Sequence, residues 1–173
     1  MQERSLEMED RVYVRNLRPD DLEAVIHLDF HVTGIRRDEF YKVKLSQALA
    51  GTGIEVSLAA EIEGIFCGFL LARVFYGEFG VMEQVAVLDT IAVHPDFQNQ
   101  GAGDALLGQL KKNLRALGVP RLRTEVSWED QELLGFFHRE QFRPAPILCL
   151  EHDLTSTAPI SYRERKAMEP RSS

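Results

Sequence analysis

The stretch Leu88-Asp89-Thr90-Ile91-Ala92-Val93-His94-Pro95-Asp96-Phe97-Gln98-Asn99-Gln100-Gly101-Ala102-Gly103 decides the fold. Its apolar half reads as a strand that ends at Val93, because Pro95 has no backbone N–H to give to a ladder. Gly101 and Gly103 follow, and the amphipathic segment from Asp104 to Leu117 begins at once. A strand that passes through a glycine-rich turn into a helix N-terminus makes an anion site. Unpaired helix amides and the positive end of the dipole converge there, and residues without a Cβ let a diphosphate approach the backbone. The stretch predicts a phosphorylated ligand; the plainer alternative is a tight strand-to-helix turn with no ligand.

Two common phosphate loops do not match. A dinucleotide fingerprint needs a third glycine where Leu106 stands, and a P-loop needs a lysine directly after its last glycine, whereas the first one here is Lys111. What remains is Gln98-Asn99-Gln100-Gly101-Ala102-Gly103 after a proline exit and before Ala105-Leu106-Leu107. This resembles the acyl-CoA pyrophosphate loop of the GNAT superfamily of N-acetyltransferases.

Composition is compatible with one sizeable core: 173 residues, 45% of them hydrophobic, with glycines and prolines spread rather than repeated. No apolar run approaches the about 20 residues that cross a bilayer, and the polar, acidic segment Met1 to Arg11 is unlike a secretory signal. Cys67 and Cys149 stand alone in apolar runs and are expected as buried free thiols rather than a disulfide or metal site. These features point to the cytoplasm. A net charge of -7 argues against a nucleic-acid partner and mildly favours an amine substrate, although simple solubility explains it equally well.

The order of elements reads β-α-α-β-β-β-α-β-α-β. Val12 opens the first strand, Pro19-Asp20-Asp21 starts a helix, and a second helix begins near Asp38. Val56 to Ile62 and Ile65 to Tyr76 form a hairpin through Glu63-Gly64, and Val85 to Val93 is a central strand. The helix from Ala102 ends at Gly118, Arg121 to Val126 runs parallel to the central strand, Asp130 caps a further helix, and Ile147 to Asp153 closes the sheet. The expected fold is mixed α/β: a central, mostly antiparallel twisted sheet with one parallel splayed pair and helices on both faces. An N-terminal extension covers 1–11, a single domain 12–154, and a disordered or loosely docked tail 155–173.

The resemblance implies more than the pattern does. In GNAT enzymes the fourth and fifth strands splay, and the pantetheine arm of acyl-CoA pairs there like an added strand. Matched here, the exposed backbone belongs to Ile91, Ala92 and Val93, with the pyrophosphate on amides from Gln98, Asn99, Gln100, Gly101, Ala102, Gly103 and Asp104. The loop holds no arginine or lysine, so backbone amides and the helix dipole must carry the phosphates. In the second family motif Asp130 stands at an Asn position and Phe137 at a Tyr whose hydroxyl is proposed as general acid. Phe137 cannot donate a proton; a place against the pantetheine arm is its alternative, while plain core packing is the commoner role for Phe136.

Acetyl transfer to an amine needs a base and an oxyanion donor. The Val93 N–H suits the second task. Asp89, an acid inside an apolar strand, is the candidate catalytic residue, with a buried structural ion pair as its alternative. Tyr76, Glu78, Glu83 and Trp128 are candidates for acceptor binding, since an aromatic beside a carboxylate suits a cation. His27 and His31 lack a third ligand, so no metal is expected.

The resemblance thus implies an acetyl-CoA-dependent N-acetyltransferase acting by direct transfer in a ternary complex. Its cosubstrate is acetyl-CoA and its acceptor a small-molecule amine or a protein amine, with no nucleic acid or membrane partner and room for a homodimer. The alternatives are a binding module that holds acyl-CoA without turnover, and a protein N-terminal or lysine acetyltransferase.

Overall fold

The structure, a computed structural model, describes residues 11–50, 56–76 and 82–155. Its elements are β1 (Val12–Asn16), α1 (Leu22–Thr33), α2 (Asp38–Ala50), β2 (Leu58–Ile62), β3 (Ile65–Tyr76), β4 (Gln84–Val93), α3 (Ala102–Ala116), β5 (Arg121–Thr124) and α4 (Gln131–Arg139). The strands form one sheet in sequence order, antiparallel from β1 to β4 and parallel between β4 and β5. This is the mixed α/β arrangement that the sequence implied. The hairpin turns where expected: Glu63 and Gly64 both take positive φ, 53° and 78°, which matches the twist of the strands they join.

Alternation along β3 sends neighbouring residues to opposite faces, and each face meets different helices. Phe69 joins Val25, Ile26, Leu28, Tyr41 and Leu45 of α1 and α2 in one buried cluster. Gly68 faces the other way, where a Cβ would stand 3.2 Å from Leu106 of α3. Leu106, Leu107 and Leu110, fully buried on α3, recur at helical spacing and cover that face.

Two polar networks pin the first helices. Asp29 is buried on α1 and accepts hydrogen bonds from Arg37 (2.9 and 2.6 Å) and from the Tyr41 hydroxyl (2.8 Å), which ties α1 to α2. Arg15 of β1 donates to both oxygens of Asp21 (2.8 Å each) and to Glu61 of β2 (2.7 Å), while Asp21 also accepts from the Arg18 N–H at 2.7 Å. A buried carboxylate is tolerable only when its lone pairs are used in this way.

Register breaks at two places. Ala60 pairs with Gly68 and Glu61 with Phe66, so Cys67 is extra on β3. Leu71 pairs with Thr90 and Ala72 with Leu88, so Asp89 is extra on β4. Each is a β-bulge, which bends a strand and re-aims its side chains.

Contacts divide the chain at Glu140/Gln141 into two units. In the second, described over 141–155, the closing strand expected from Ile147 to Asp153 does not form. Ile147, Leu148 and Leu150 are exposed, and Pro144 and Pro146 just before them have no N–H for a ladder. Cys149 is accordingly exposed rather than buried, whereas Cys67 is buried with its thiol 3.4 Å from the Ala60 carbonyl oxygen. The remaining expectations for 1–10 and 156–173 lie outside the described residues. Among those described, no helix is long and apolar enough to cross a membrane.

Candidate active site

The parallel ladder is short. Its last pair is Leu88 with Thr124, whose hydroxyl donates to the Leu88 carbonyl at 2.9 Å. Beyond this point β4 runs on beside β3 alone, as far as Val93 with Gly68. The His94 N–H donates to the Cys67 carbonyl at 2.8 Å. Because successive N–H groups of a strand point to opposite edges, those of Ile91 and Val93 face the edge that β5 has left.

That edge opens into a cleft of ≈ 330 Å³, walled by Ile91, Ala92 and Val93, by the loop after them, and by one face of α4. Pro95–Phe97 forms a turn in which the His94 Nδ1 accepts from the Asp96 N–H at 3.2 Å. Asn99 and Gly101 then take left-handed conformations, φ 59° and 84°, so Gly101 serves the backbone where a Cβ would be strained. Gly101 also sits at the N-cap of α3, where no side chain bonds the first amides. The Gln98 and Gln100 amides bond back to the Val93 and Asp96 carbonyls at 3.4 and 3.0 Å, which stiffens the loop.

Of the expected cofactor residues, Ile91, Ala92, Val93, Gln98, Asn99, Gly101, Ala102, Gly103, Asp104 and Asp130 line this cleft. Gln100 does not; it borders a separate small pocket with Arg11, Ile62 and Asn99. Asp130 caps α4 by accepting from the Leu133 N–H at 2.9 Å. Phe137 is only 4% exposed and is absent from the cleft wall, where Phe136 stands instead. The two adjacent aromatics have exchanged the places expected of them, because successive helical residues point about 100° apart.

Glu132, Leu133, Phe136 and Arg139 follow at helical spacing and form the α4 side of the cleft. Sequence reading of the loop found no cation, but Arg139 supplies one among the lining residues. The i, i+4, i+7 stripe from Glu132 through Phe136 to Arg139 was the signal that could have revealed it.

Asp89 lies at the bulge just past the end of the parallel ladder. Its two oxygens accept from Lys44 of α2 at 2.9 Å each, and Arg73 of β3 is 4.0 Å away. The partner that a charge in this strand required is therefore present. The acceptor candidates are more scattered. Glu83 pairs with Arg121 at 3.2 Å at the opposite end of β4, roughly 25 Å along the strand from Ile91 at about 3.3 Å per residue. Tyr76 is 68% exposed at the end of β3, and Trp128 is 84% exposed. Glu78 lies outside the described residues. The rings of His27 and His31 are 4.4 Å apart, and His31 is 4.8 Å from His94. Among the described residues no three His, Cys, Asp or Glu side chains are placed to hold a metal ion.

The family model described as Acetyltransferase (GNAT) family matches residues 20–141. An acetyltransferase of Pectobacterium atrosepticum is 26% identical over 137 residues, 79% of this chain and 92% of the relative. Among solved structures, an aminoglycoside N-acetyltransferase in complex with CoA superposes with a TM-score of 0.69 at 17% identity, over 83% of this chain and 95% of that one. The ribosomal-protein-S18-alanine N-acetyltransferase of Escherichia coli gives 0.64 at 23% identity, over 78% and 79%. At such identities the structural likeness is one of fold.

Proposed function

The chain belongs to the acetyltransferase (GNAT) family, and on that premise we propose that it transfers an acetyl group from acetyl-CoA to a primary amine in a ternary complex. The observation that carries this reading is the open edge of β4 at Ile91–Val93, continuous in one cleft with the glycine-rich loop that enters the N-terminus of α3. The family identity favours an enzyme over a module that only binds.

The residues fit the cosubstrate. The edge amides of Ile91 and Val93 suit an extended amide-bearing arm, which adds to a sheet edge as a strand does. The amides of Ala102 and Gly103 in the first turn of α3, where no side chain caps the helix, and the helix dipole suit phosphates, and Arg139 adds a positive charge in the same cleft. Asp104, Asp130 and Glu132 oppose it, so backbone donors must lead. Acetyl-CoA supplies the thioester: a C–N bond forms as the C–S bond breaks, and the proton leaving the amine ends on the thiol.

We assign the Val93 N–H to the thioester carbonyl oxygen, as the donor on the open edge. Asp89 is assigned to the acceptor. Lys44 uses two of the roughly four lone-pair directions of its carboxylate and the Thr90 hydroxyl, at 3.4 Å, a third, which leaves one for an incoming amine. Gln100 and Phe137 drop out of the direct contacts, and Tyr76, Glu83 and Trp128 remain candidates only for a larger acceptor.

Thiol release from acetyl-CoA, measured with a panel of amines, tests the reading, and CoA titration by calorimetry tests its cosubstrate half. Intersecting initial-rate lines would support direct transfer, and parallel lines would exclude it. Asp89→Asn is expected to raise the acceptor KM about tenfold or more with the acetyl-CoA KM unchanged. An unaltered acceptor KM would return Asp89 to a purely structural ion pair.

A further inference from the structure

Three strands place cations side by side next to Asp89. Arg73 of β3 is in register with Val87 of β4, and Val87 is in register with Arg123 of β5. Residues paired across a ladder project from the same face, so two guanidinium groups flank Val87, about 10 Å apart at the backbone for two strand spacings of about 4.8 Å. Both are within side-chain reach of a group lying over Val87. The face is the one that carries Asp89, since Arg73 lies 4.0 Å from its carboxylate.

These cations are poorly compensated. Arg73 has that one long ionic contact and otherwise lies 5.3 Å over the Phe75 ring. Arg123 has no hydrogen-bond or ion-pair partner among the described residues, although it is half-buried. Asp89 is already matched by Lys44. A chain whose net charge is -7 thus concentrates unmatched positive charge at one end of its candidate acceptor site.

We propose that the acceptor is a free amino acid whose carboxylate is held by Arg73 and Arg123 while its amine is directed by Asp89. The proposal rests on the acetyl-transfer reading above. An amino acid presents one cationic and one anionic group close together, and Asp89 and Arg73 present the reverse pair at 4.0 Å. A guanidinium fork binds a carboxylate through two parallel N–H···O bonds, which gives it direction as well as charge. Polyamines lacking a carboxylate would leave the row unmatched and meet repulsion from it.

The test compares the common amino acids, their carboxamides and spermidine as acceptors. The acid is expected to exceed its carboxamide at least tenfold in kcat/KM. Arg73→Gln and Arg123→Gln should each raise the acceptor KM about tenfold and bring the acid-to-carboxamide ratio toward one, with the acetyl-CoA KM unmoved. Arg123→Lys should restore part of the ratio by returning the charge without the fork. Carboxamides or spermidine used as readily as acids would overturn the proposal, as would a ratio that survives both glutamine substitutions.

Binding separates this outcome from failure of the wider reading. Calorimetry with N-acetylated amino acids and their carboxamides, with and without CoA, reads the arginine row directly. Absence of CoA binding would refute the cosubstrate assignment while the row could still be seen to select carboxylates. CoA binding without any preference for the carboxylate would refute the arginine row alone.

Discussion

The ring of Phe136 lies 3.3 Å from the place a Cβ on Gly103 would occupy, with Val93 Cγ2 at 3.9 Å on the same side. Gly103 therefore lets α4 close on the end of β4, besides baring the backbone to a ligand. A methyl at 103 asks the ring to yield a few tenths of an ångström; a valine asks for much more. Gly103→Ala is expected to weaken CoA binding a few-fold. Gly103→Val should weaken it at least tenfold and cost about 1–3 kcal/mol as an overpacked contact. Titration calorimetry and denaturant melts check the pair. Unchanged CoA affinity in folded Gly103→Val would separate this contact from the cofactor site.

Phe137→Tyr places a hydroxyl at the position where the family carries its proposed general acid, but the side chain is buried. The added hydroxyl is expected to lose its water without gaining a place in the cleft. A destabilisation of about 1–3 kcal/mol and no gain in rate should follow. A rate increase with unchanged stability would show that the ring reaches the cleft in solution.

Arg139→Gln removes the cation from the cleft wall. The CoA Kd should rise about threefold to tenfold, and the salt dependence of binding should become shallower, because an exposed charge acts through a screened field. The comparison of slopes at low and moderate salt is the measurement. Equal slopes for both proteins would assign the phosphates to backbone donors alone.

Asp21 links stability to acid. Burial disfavours its anion, but the Arg15 guanidinium and the Arg18 N–H outweigh this and hold the carboxyl below its ordinary 3.8. A folded pKa below the unfolded one contributes stability above 3.8 that disappears as pH falls through the folded value. Asp21→Asn is expected to lower stability by roughly 2–4 kcal/mol at neutral pH, as breaking a buried pair does. It should also flatten the melting temperature below pH 4, where the native protein declines. An equally steep acid decline in the variant would remove Asp21 as its source.

Iodoacetamide offers a fifth contrast. Cys67 is buried, and burial pushes its thiol up to about 11, which suppresses the reactive thiolate. Cys149 is exposed. Native labelling read by mass spectrometry should mark Cys149 and spare Cys67 until denaturant is added.

Much of this was legible because it is local. Glu63-Gly64 declares its own turn, and Pro95 with Gly101 declares the strand exit and loop from residues that need no distant partner. The Phe136/Phe137 exchange was not legible, since two adjacent aromatics fit the same stripe and only the docked phase of α4 selects one. Arg139 approaches the phosphate loop from the far end of another helix, so the loop's own sequence could not announce it. The absent strand at 147–153 has a similar cause: an apolar run suggests a strand, but only an available edge makes one.

The bulge at Asp89 changes what the chain can tolerate. Before it, Leu88 and Ala86 share the face of α3; after it, Ala92 packs with the cluster of α1 and α2, and Val93 pairs with Gly68 on the α3 side. One supernumerary residue thus sets the reading frame of the strand's second half. Exchange of Asp89 for another side chain alters a charge, whereas its deletion would leave Leu88 on Ala72 and Thr90 on Leu71, so every later residue would keep its face while the strand lost its bend and its carboxylate together. A residue removed from the regular ladder on either side would instead turn the segment beyond it to the opposite face, so the bulge is where this strand can lose a residue and keep its register.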